Sequence, residues 1–433
     1  MRGCKVRGPG VGRYGASVID EGVEPSRPAR PGPLHGVRVL DLTRVLSGPH
    51  CTRMLCDLGA DVIKVEPPDG DLTRFTNPRI NGLASYFIQQ NTGKRNISVD
   101  MTNPDGVELL LRLANRCDVL VENFRPGVME RMGLGHETVA ARAPSIVYAS
   151  ITGYGRSGPW VHRRAYAPVV GAETGITRMQ GDARDGAYVN DPWSHADLYT
   201  SLECATAILA ALFQRERTGR GERIDVSMAQ TMLYVNEHAH DQLWDGPVDP
   251  AWIRSFGAGA YPVLTAANGE QVIISGHPAE RGAFELFMRG MSLTHLVDDP
   301  RFVDVPTRLA NFDVLVQYMR DWAIRIADPE AIEAALAEHG LATGTIRTTR
   351  ELCDTDWAGD RGAVVAVSDR GHGAVRVPDS PWRFAGSDTG VRGTPRYRGE
   401  DNRAVLAELL SLSDDELADL EARRVLVSRV PAR

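Results

Sequence analysis

The stretch VRVLDLTRVLSGPHCTRMLCDLGADVIKVE, residues 37–66, decides the fold of this chain. It begins with a short apolar strand pattern over 37–42 and ends with a second one over 60–66. The residues between them are typical of a helix, with Pro49 suited to a first helical turn and Gly59 suited to a C-terminal cap. The stretch therefore predicts one β-α-β unit.

The same alternation continues downstream. RNISVDM, CDVLVENF and SIVYASITGYG are typical of strands, and the helix patterns DGVELLLRLAN and HETVAARA stand between them. Strands that alternate with helices of this length indicate a parallel sheet covered on both faces. We predict an α/β fold with a Rossmann-like parallel sheet, whose functional site lies at the carboxyl ends of the strands.

The chain is too long for one ordinary domain, and the alternation stops after Gly155. A hairpin with Asn268-Gly269 at its turn and several helix patterns predict a smaller α+β domain. A single helix is predicted over AQTMLYVNEHAHDQLW, residues 229–244. The predicted ranges are a disordered tail over 1–34, the N-terminal part of a large domain over 35–240, a small domain over 245–345, and a C-terminal part over 346–433 that completes the large domain.

Composition excludes several classes of protein. A hydrophobic content of 42% and a charged content of 24% are ordinary for a soluble globular chain. A formal charge of −7 argues against a nucleic-acid surface, and no apolar run approaches the roughly 18 residues of a membrane span. The six cysteines lack zinc-site spacing, so we expect free thiols and a cytoplasmic, reducing location.

Common catalytic and binding motifs are absent or misplaced. Gly10, Gly12 and Gly15 form G-x-G-x-x-G, but no strand precedes them and a Pro- and Arg-rich segment follows, so a disordered tail is favoured over a nucleotide site. No G-x-S-x-G elbow or G-x-x-x-x-G-K-[ST] loop is present. His238 and His240 are two residues apart on a helix pattern and diverge, so no metal site is predicted.

Asp197 is the most informative carboxylate. It precedes LYTSLECATAILAALF, whose residues are apolar or small almost all round and so predict a buried helix. One interpretation makes Asp197 the N-cap of this helix, since its carboxylate can accept the free N–H groups of the first turn. The other makes it a partly desolvated nucleophile, which can attack an acyl carbon and form an anhydride. Residue pattern alone leaves both open.

Five segments together carry a family resemblance. They are GVRVLDLTRVLSGPHCTRMLCDLGADVIKVEPPDGDLTR, NTGKRNISVDMTNPDG, DVLVENFRPGVMERMGLG, IVYASITGYGRSGP and ADLYTSLECATAILAALFQRERTGRGERIDVSM. In order and spacing they resemble the class III CoA-transferases, the family that includes formyl-CoA and carnitine CoA-transferases and α-methylacyl-CoA racemases. The resemblance spans nearly all of residues 36–240 and continues more weakly towards the C-terminus.

The resemblance implies a role for each matching residue. Asp197 would be the nucleophile that passes through an aspartyl anhydride and an aspartyl-CoA thioester before an acceptor carboxylate takes the CoA. Backbone N–H groups would stabilise the oxyanions. The residues implied to contact CoA are Leu46, Ser47, Val99, Asn123, Phe124, Arg125, Arg131, Arg164, Tyr166 and Met228. Coenzyme A and acyl-CoA are then substrates, no permanently bound cofactor is expected, and an interlocked homodimer is expected.

Departures from the family pattern narrow the function. Tyr166 and Ala167 stand where racemases of the family carry a His-Asp pair, and an Ala cannot move a proton, so CoA transfer is favoured over racemisation. Leu46 replaces a Gln of formyl-CoA transferase, and SFGAGAYP (255–262) is a short counterpart of its glycine-rich loop. These changes predict a larger or more apolar acid than formate or oxalate. A third hypothesis, beside CoA transfer and racemisation, is a non-catalytic CoA-binding protein in which Asp197 is only a helix cap.

Overall fold

A computed structural model of the chain describes residues 30–182, 186–247 and 261–431. Contacts between Cα atoms group the described residues into two units. Of the described residues, 30–165, 197–228 and 362–431 belong to the first unit, and 166–182, 186–196, 229–247 and 261–361 belong to the second. Residues 166–196 lie within the predicted range of the large domain, and the four predicted domain ranges stay a prediction.

A six-stranded parallel sheet forms the centre of the first unit. Its spatial order is β5-β2-β1-β6-β7-β8. The strands are β1 (Arg38–Asp41), β2 (Asp61–Glu66), β5 (Arg95–Ser98), β6 (Val119–Glu122), β7 (Val147–Thr152) and β8 (Glu222–Ser227). The predicted α/β class with a Rossmann-like parallel sheet is confirmed.

The helices of the first unit connect or follow these strands. They are α1 (Ser47–Asp57), α2 (Ser85–Asn91), α3 (Pro104–Ala114), α4 (Val128–Arg131), α5 (His136–Arg142), α8 (His195–Thr218), α17 (Asn402–Leu410) and α18 (Asp414–Ala422), with a 3₁₀ helix over Leu72–Phe75. Apolar residues of β1, β2, β5, β6, α3, α5, α17 and α18 make one core cluster. Because α17 and α18 contribute to it, the C-terminal segment completes the large unit as the fold class predicted.

Short hairpins complete the first unit. They are β3 (Arg79–Ile80) with β4 (Leu83–Ala84), and β12 (Val364–Ser368) with β13 (Ala374–Pro378). The later hairpin packs in a cluster of its own with Leu83 and Ile88. The strands that return after residue 360 therefore form a separate two-stranded sheet and do not extend the parallel one.

The second unit combines helices with a three-stranded antiparallel sheet of order β11-β10-β9. Gly269 has φ +89° at the predicted hairpin turn, a conformation that favours glycine. Its strands are β9 (Val263–Thr265), β10 (Gln271–Ile274) and β11 (Thr343–Thr345). Its helices are α6 (Ala167–Glu173), α7 (Ile176–Asp182), α9 (Met228–Tyr234), α10 (Ala239–Gln242), α11 (Ala283–Gly290), α12 (Val305–Ala310), α13 (Phe312–Ala323), α14 (Pro329–Ala337), α15 (Thr349–Cys353) and α16 (Asp356–Arg361), with a 3₁₀ helix over Thr294–Leu296.

Two helix predictions need correction. The single helix predicted over residues 229–244 is broken into α9 and α10, and Asn236 accepts the N–H of His238 in the turn between them. Such a side-chain bond offers the backbone an alternative to the helical ladder. Helix α8 is also not buried all round, because Phe213 is 61% exposed and Leu202 is 45% exposed.

Residues 30–34 of the predicted tail contact the first unit. The guanidinium of Arg30 pairs with Asp388 at 2.9 Å, and the Leu34 N–H donates to the carbonyl of Leu58. The remaining tail residues, 1–29, lie outside the described residues.

Candidate functional site

The site lies where the strand order reverses. Chain connections run outward from β1 through β2 to β5 on one side, and from β6 through β7 to β8 on the other. The loops that follow β1 and β6 therefore diverge and leave a crevice at their carboxyl ends, which is where open α/β sheets bind ligands. The Asn123 side chain bridges this point, accepting the Arg44 N–H at 2.8 Å and donating to the Arg44 carbonyl at 2.9 Å.

Asp197 is the third residue of α8, so it lies within the first turn and does not cap its own helix. That part of the capping interpretation is wrong. The Asp197 carboxylate instead accepts hydrogen bonds from the hydroxyl and the backbone N–H of Ser47, the first residue of α1. One turn further along α8, the Ser201 hydroxyl lies 2.7 Å from the carbonyl oxygen of Ser47. The N-termini of α1 and α8 thus meet at this carboxylate.

The electrostatics of Asp197 suit a nucleophile. Burial outweighs the two hydrogen bonds from Ser47, which lower the pKa, and the net effect raises the pKa of Asp197 from 3.8 to about 6. The positive ends of two helix dipoles also favour the ionised form. The group is therefore mostly ionised at neutral pH, yet more basic than an ordinary aspartate.

The loop between β1 and α1, residues 43–46, is held by buried side chains from its neighbours. Lys64 donates to the Thr43 carbonyl at 2.9 Å and pairs with Asp71 at 3.3 Å. The Asp71 carboxylate accepts the N–H of Val45 at 3.2 Å. Val45 has φ +67°, a strained backbone conformation for a β-branched residue. Neighbouring contacts must therefore hold the backbone in this conformation. Together with Asn123, these side chains fix the backbone that leads to Ser47.

A second buried charge supports the first turn of α1. The ammonium group of Lys94 contacts Asp41 at 3.0 Å, Thr52 at 2.8 Å and the carbonyl of Pro49 at 2.8 Å. Lys94 and Asp41 are at most 1% exposed. Burial raises the pKa of Asp41, but Lys94, Lys64 and two hydroxyl groups outweigh it and hold that pKa at about 2. Gly48 fits tightly here, because a Cβ on it would lie 2.2 Å from the Cβ of Thr43.

Four of the predicted site residues lie around this crevice. Leu46 is 6% exposed and immediately precedes α1, and Ser47 contacts Asp197 directly. Asn123 lies 3.3 Å from the Ser47 hydroxyl. Phe124 follows, with its N–H bonded to the buried Glu122 at 2.8 Å and the Arg44 guanidinium 5.9 Å above its ring. The structure thus brings these four residues together with Asp197.

The other predicted residues are placed differently. Val99 pairs with Leu426 in an isolated β-bridge and is fully buried, so its side chain is part of the core. Arg125, Arg131 and Arg164 are exposed, and Met228 is buried at the start of α9. Tyr166 is 63% exposed and belongs to the second unit.

Sequence reasoning missed several residues of the site. Burial, and then the charges of Asp197 and Asp71, raise the pKa of Tyr86 on α2 to about 12. Tyr86 therefore lies close enough to Asp197 to be affected by its charge. Lys64, Asp71 and Lys94 were also missed. Lys64 gave a usable signal, since a lysine inside the apolar strand DVIKVE is rarely buried without a structural or functional partner.

Within 30–182, 186–247 and 261–431, no group of three or more His, Cys, Asp and Glu side chains could hold a metal ion. The cysteines of these ranges form no disulfide with one another. Cys51 on α1 and Cys204 on α8 are hydrogen-bonded to each other and fully buried, which raises the pKa of Cys51. They pack the two helices together below Ser47 and Asp197.

One helix of the described residues, α8, is long and apolar enough to cross a membrane by length and composition. This departs from the expectation that no such run exists. Core helices of water-soluble proteins have the same length and composition. Thr200, Ser201 and Cys204 on this helix are fully buried within the protein.

Comparisons with known proteins agree on one family. The family described as CoA-transferase family III matches residues 34–402. A succinyl-CoA:glutarate CoA-transferase of Mus musculus is 32% identical, over 97% of this chain and 96% of that protein. A formyl-CoA:oxalate CoA-transferase of Streptomyces coelicolor is 33% identical, over 91% of this chain and 99% of that protein. The crystal structure of a CaiB/BaiF family protein from Brucella suis superposes with a TM-score of 0.76 at 31% identity, covering 88% of this chain and 100% of that one.

Proposed function

The chain belongs to CoA-transferase family III and is an acyl-CoA:carboxylate CoA-transferase, and on that premise we propose that Asp197 is its covalent nucleophile. The observation that carries the proposal is the placement of a single, partly desolvated carboxylate against the Ser47 hydroxyl and N–H at the switch point of the sheet.

The proposed reaction proceeds by exchange at two carbonyl carbons. An Asp197 oxygen attacks the thioester carbon of the donor, the C–S bond breaks, and CoA leaves as a thiolate. The thiolate then attacks the aspartyl carbonyl of the mixed anhydride, which releases the donor acid and leaves an aspartyl-CoA thioester. The acceptor carboxylate attacks that thioester, and the returning thiolate finally attacks the acyl carbon of the new anhydride, which frees Asp197 and the product acyl-CoA.

Ser47 has two roles in this scheme. In the resting enzyme its hydroxyl and N–H orient the carboxylate. When the negative charge moves to a tetrahedral oxyanion, the same N–H and its neighbours at the α1 N-terminus are donors that need no reorganisation. Asn123 and Ser201 hold Ser47 from two sides, so its position is fixed before substrate arrives.

The acyl group is proposed to be larger or more apolar than formate or oxalate. Leu46 supplies an apolar surface beside Ser47 where a Gln would supply an amide. Residues 255–260 of the candidate loop SFGAGAYP lie outside the described residues, so the proposal depends on Leu46 alone. Racemisation is not favoured, since the similar proteins are named as CoA-transferases and Ala167 cannot exchange a proton.

Assembly and location remain proposals. We infer a homodimer of the interlocked kind, because α8 exposes Leu202, Leu209 and Phe213 as an apolar face. The enzyme is proposed to work in the cytoplasm, without a permanently bound cofactor, and with acyl-CoA and a carboxylic acid as its partners. The free thiols of the described cysteines are consistent with a reducing compartment.

The function is tested by incubating the enzyme with a panel of acyl-CoA donors and free acids and detecting new thioesters by mass spectrometry. Donors and acceptors range from formate and oxalate to dicarboxylic and branched acids. We expect CoA transfer to the larger acids to be faster than CoA transfer to formate and oxalate. Exchange of the α-proton for deuterium without transfer would instead identify an isomerase.

A further inference from the structure

Residues 122–130, ENFRPGVME, run from the end of β6 into helix α4 and include three residues that the family resemblance implied in CoA binding. We call them the 122–130 segment. Its position decides where Asn123 meets Ser47, because the Asn123 amide lies 3.3 Å from the Ser47 hydroxyl. Side chains that fix this segment therefore also fix the residue that orients Asp197.

Both ends of the 122–130 segment bind one arginine. Arg156 lies in the loop after β7, within the motif GYGRSG of residues 153–158. One nitrogen of its guanidinium lies 3.2 Å from the Glu122 carboxylate, and another is paired with Glu130. Arg156 thus joins the residue before the turn to the helix that follows it.

The pair between Arg156 and Glu122 is shielded from water. The Glu122 side chain is fully buried, and the Arg156 side chain is only 10% exposed. The second oxygen of Glu122 accepts the Phe124 N–H at 2.8 Å, so this carboxylate ties the guanidinium to the backbone of the turn. Removal of one partner from a buried pair leaves an uncompensated charge. Without Arg156, the carboxylate that holds the turn would lose its cationic partner.

Arg156 is itself held in place by two further strands. Its backbone N–H donates to the Asp225 carboxylate on β8 at 3.0 Å. Its guanidinium lies 3.4 Å from the Ser150 hydroxyl on β7. The guanidinium therefore reaches the 122–130 segment from a fixed loop, as a group that positions others must.

We propose that Arg156 is a positioning residue for CoA transfer, which fixes the 122–130 segment and so keeps Asn123 against Ser47. The inference rests on the proposed roles of Ser47 and Asp197. Continuous contacts lead from the arginine to the nucleophile, in the order Arg156, Glu122, the Phe124 N–H beside Asn123, Ser47 and Asp197. Arg156 acts through other side chains and is not itself a catalytic group.

The test compares Arg156→Gln with Arg215→Gln as its matched control. Arg215 is also a mostly buried arginine, paired at 3.0 Å with Asp118, but Asp118 precedes β6 and lies at the opposite end of that strand. Both variants should fold with reduced stability in urea unfolding, since each loses an arginine pair. Only Arg156→Gln should lose kcat/KM for CoA transfer, by about 10-fold, the effect of one charged hydrogen bond. Assays at about pH 8.5 keep Glu122 ionised in the parent, because burial raises its pKa to about 7.

Two further variants separate positioning from folding. Arg156→Lys keeps the charge and should regain at least about a third of the parent kcat/KM, although lysine does not bind two carboxylates as a fork. Glu122→Gln should also lose about 10-fold. The double variant Glu122→Gln with Arg156→Gln should be little slower than Glu122→Gln alone, because residues that act through one another are not additive.

The results separate the positioning role from the proposed function. Equal kcat/KM in Arg156→Gln and Arg215→Gln would overturn the positioning role. Losses that add fully in the double variant, or no recovery in Arg156→Lys, would overturn it as well. Full activity of Arg156→Gln beside an inactive Asp197→Asn would contradict the positioning role alone, whereas full activity of Asp197→Asn would contradict the proposed nucleophile.

Discussion

The loop of residues 43–46 and a cavity of about 640 Å³ beside Pro68, Asp100 and Arg424 lie at the same end of one sheet, and they hold charge in opposite ways. Around the loop, Lys64 is paired with Asp71 and Lys94 with Asp41, all buried. In the cavity, the Arg424 guanidinium has no hydrogen bond or ion pair with a side chain of the described residues. Paired buried charges fix a geometry, whereas an unpaired charge in an open cavity is available to a ligand. Val45 in the loop and Arg424 in the cavity share one feature, since both adopt a left-handed backbone conformation that is unfavourable for residues with a side chain.

The largest expected effect concerns the nucleophile. Asp197→Asn keeps the shape of the side chain but removes the attacking oxygen anion, so CoA transfer should fall by at least about 10⁴-fold. Steady-state transfer rates measure it, with circular dichroism to check folding. Glu203→Gln on the same helix is the control and should retain activity. Full activity of Asp197→Asn would show that Asp197 is not the nucleophile.

Stability should respond next most strongly to the buried pair below the loop. Lys94→Met leaves the Asp41 carboxylate buried without its main partner, which should lower the free energy of unfolding by about 3–5 kcal/mol. Urea unfolding at pH 7.5 measures this change. The double variant Asp41→Leu with Lys94→Met should recover part of the loss. A single variant as stable as the parent would show that the pairing does not brace the loop.

The two strained residues offer a direct comparison. Val45→Gly and Arg424→Gly should each raise stability by up to about 1 kcal/mol, because glycine adopts the left-handed region freely. The consequences for function should differ. Loosening at Val45 is expected to lower kcat several-fold with little change in KM, because Val45 lies in the loop that leads to Ser47, whereas Arg424→Gly lies outside that loop and should leave kcat near that of the parent. Identical kinetic effects would contradict the division of roles.

The smallest effect is a shift in pH dependence. Asp197 must be ionised to attack, so kcat/KM should fall as the pH drops through about 6, the pKa to which burial raises this group. Ser47→Ala removes one hydrogen bond that lowers the pKa, so the acid limb should move to higher pH, by up to about one unit. The pH profiles of both proteins test this. A limb near pH 4 in the parent would mean that Asp197 is not desolvated.

The same pKa has a consequence for stability. The folded state holds the Asp197 proton more tightly than the unfolded state, whose pKa is near 3.8, so ionisation of the carboxylate destabilises the fold progressively between about pH 4 and about pH 6, and fully above that range. Urea unfolding should therefore find Asp197→Asn more stable than the parent at pH 7.5, and the difference should shrink as the pH falls from about 6 to about 4.

Periodicity predicted the sheet well, because β1, β2 and β6 are short, mostly apolar runs, and helix α1 between the first two has clear end signals in Pro49 and Gly59. It failed where a local side-chain bond interrupts a helix, as at Asn236. For the site, the motif strings located Ser47, Asn123 and Asp197. They could not reveal Asp71 and Lys94, whose function depends on contacts between distant parts of the chain. The position of Lys64 inside an apolar strand indicated a buried, partnered lysine but not its partners, Thr43 and Asp71. The motif strings also could not show that the Val99 side chain is buried in the core.

The central claim is that Asp197 carries the covalent intermediate, and trapping tests it most directly. The enzyme is incubated with an acyl-CoA that it uses as a donor, treated with hydroxylamine or borohydride, digested, and analysed by mass spectrometry. The account predicts a modified peptide whose altered residue is Asp197, absent without donor and absent in Asp197→Asn. An enzyme that transfers CoA at its full rate while Asp197 stays unmodified would contradict it.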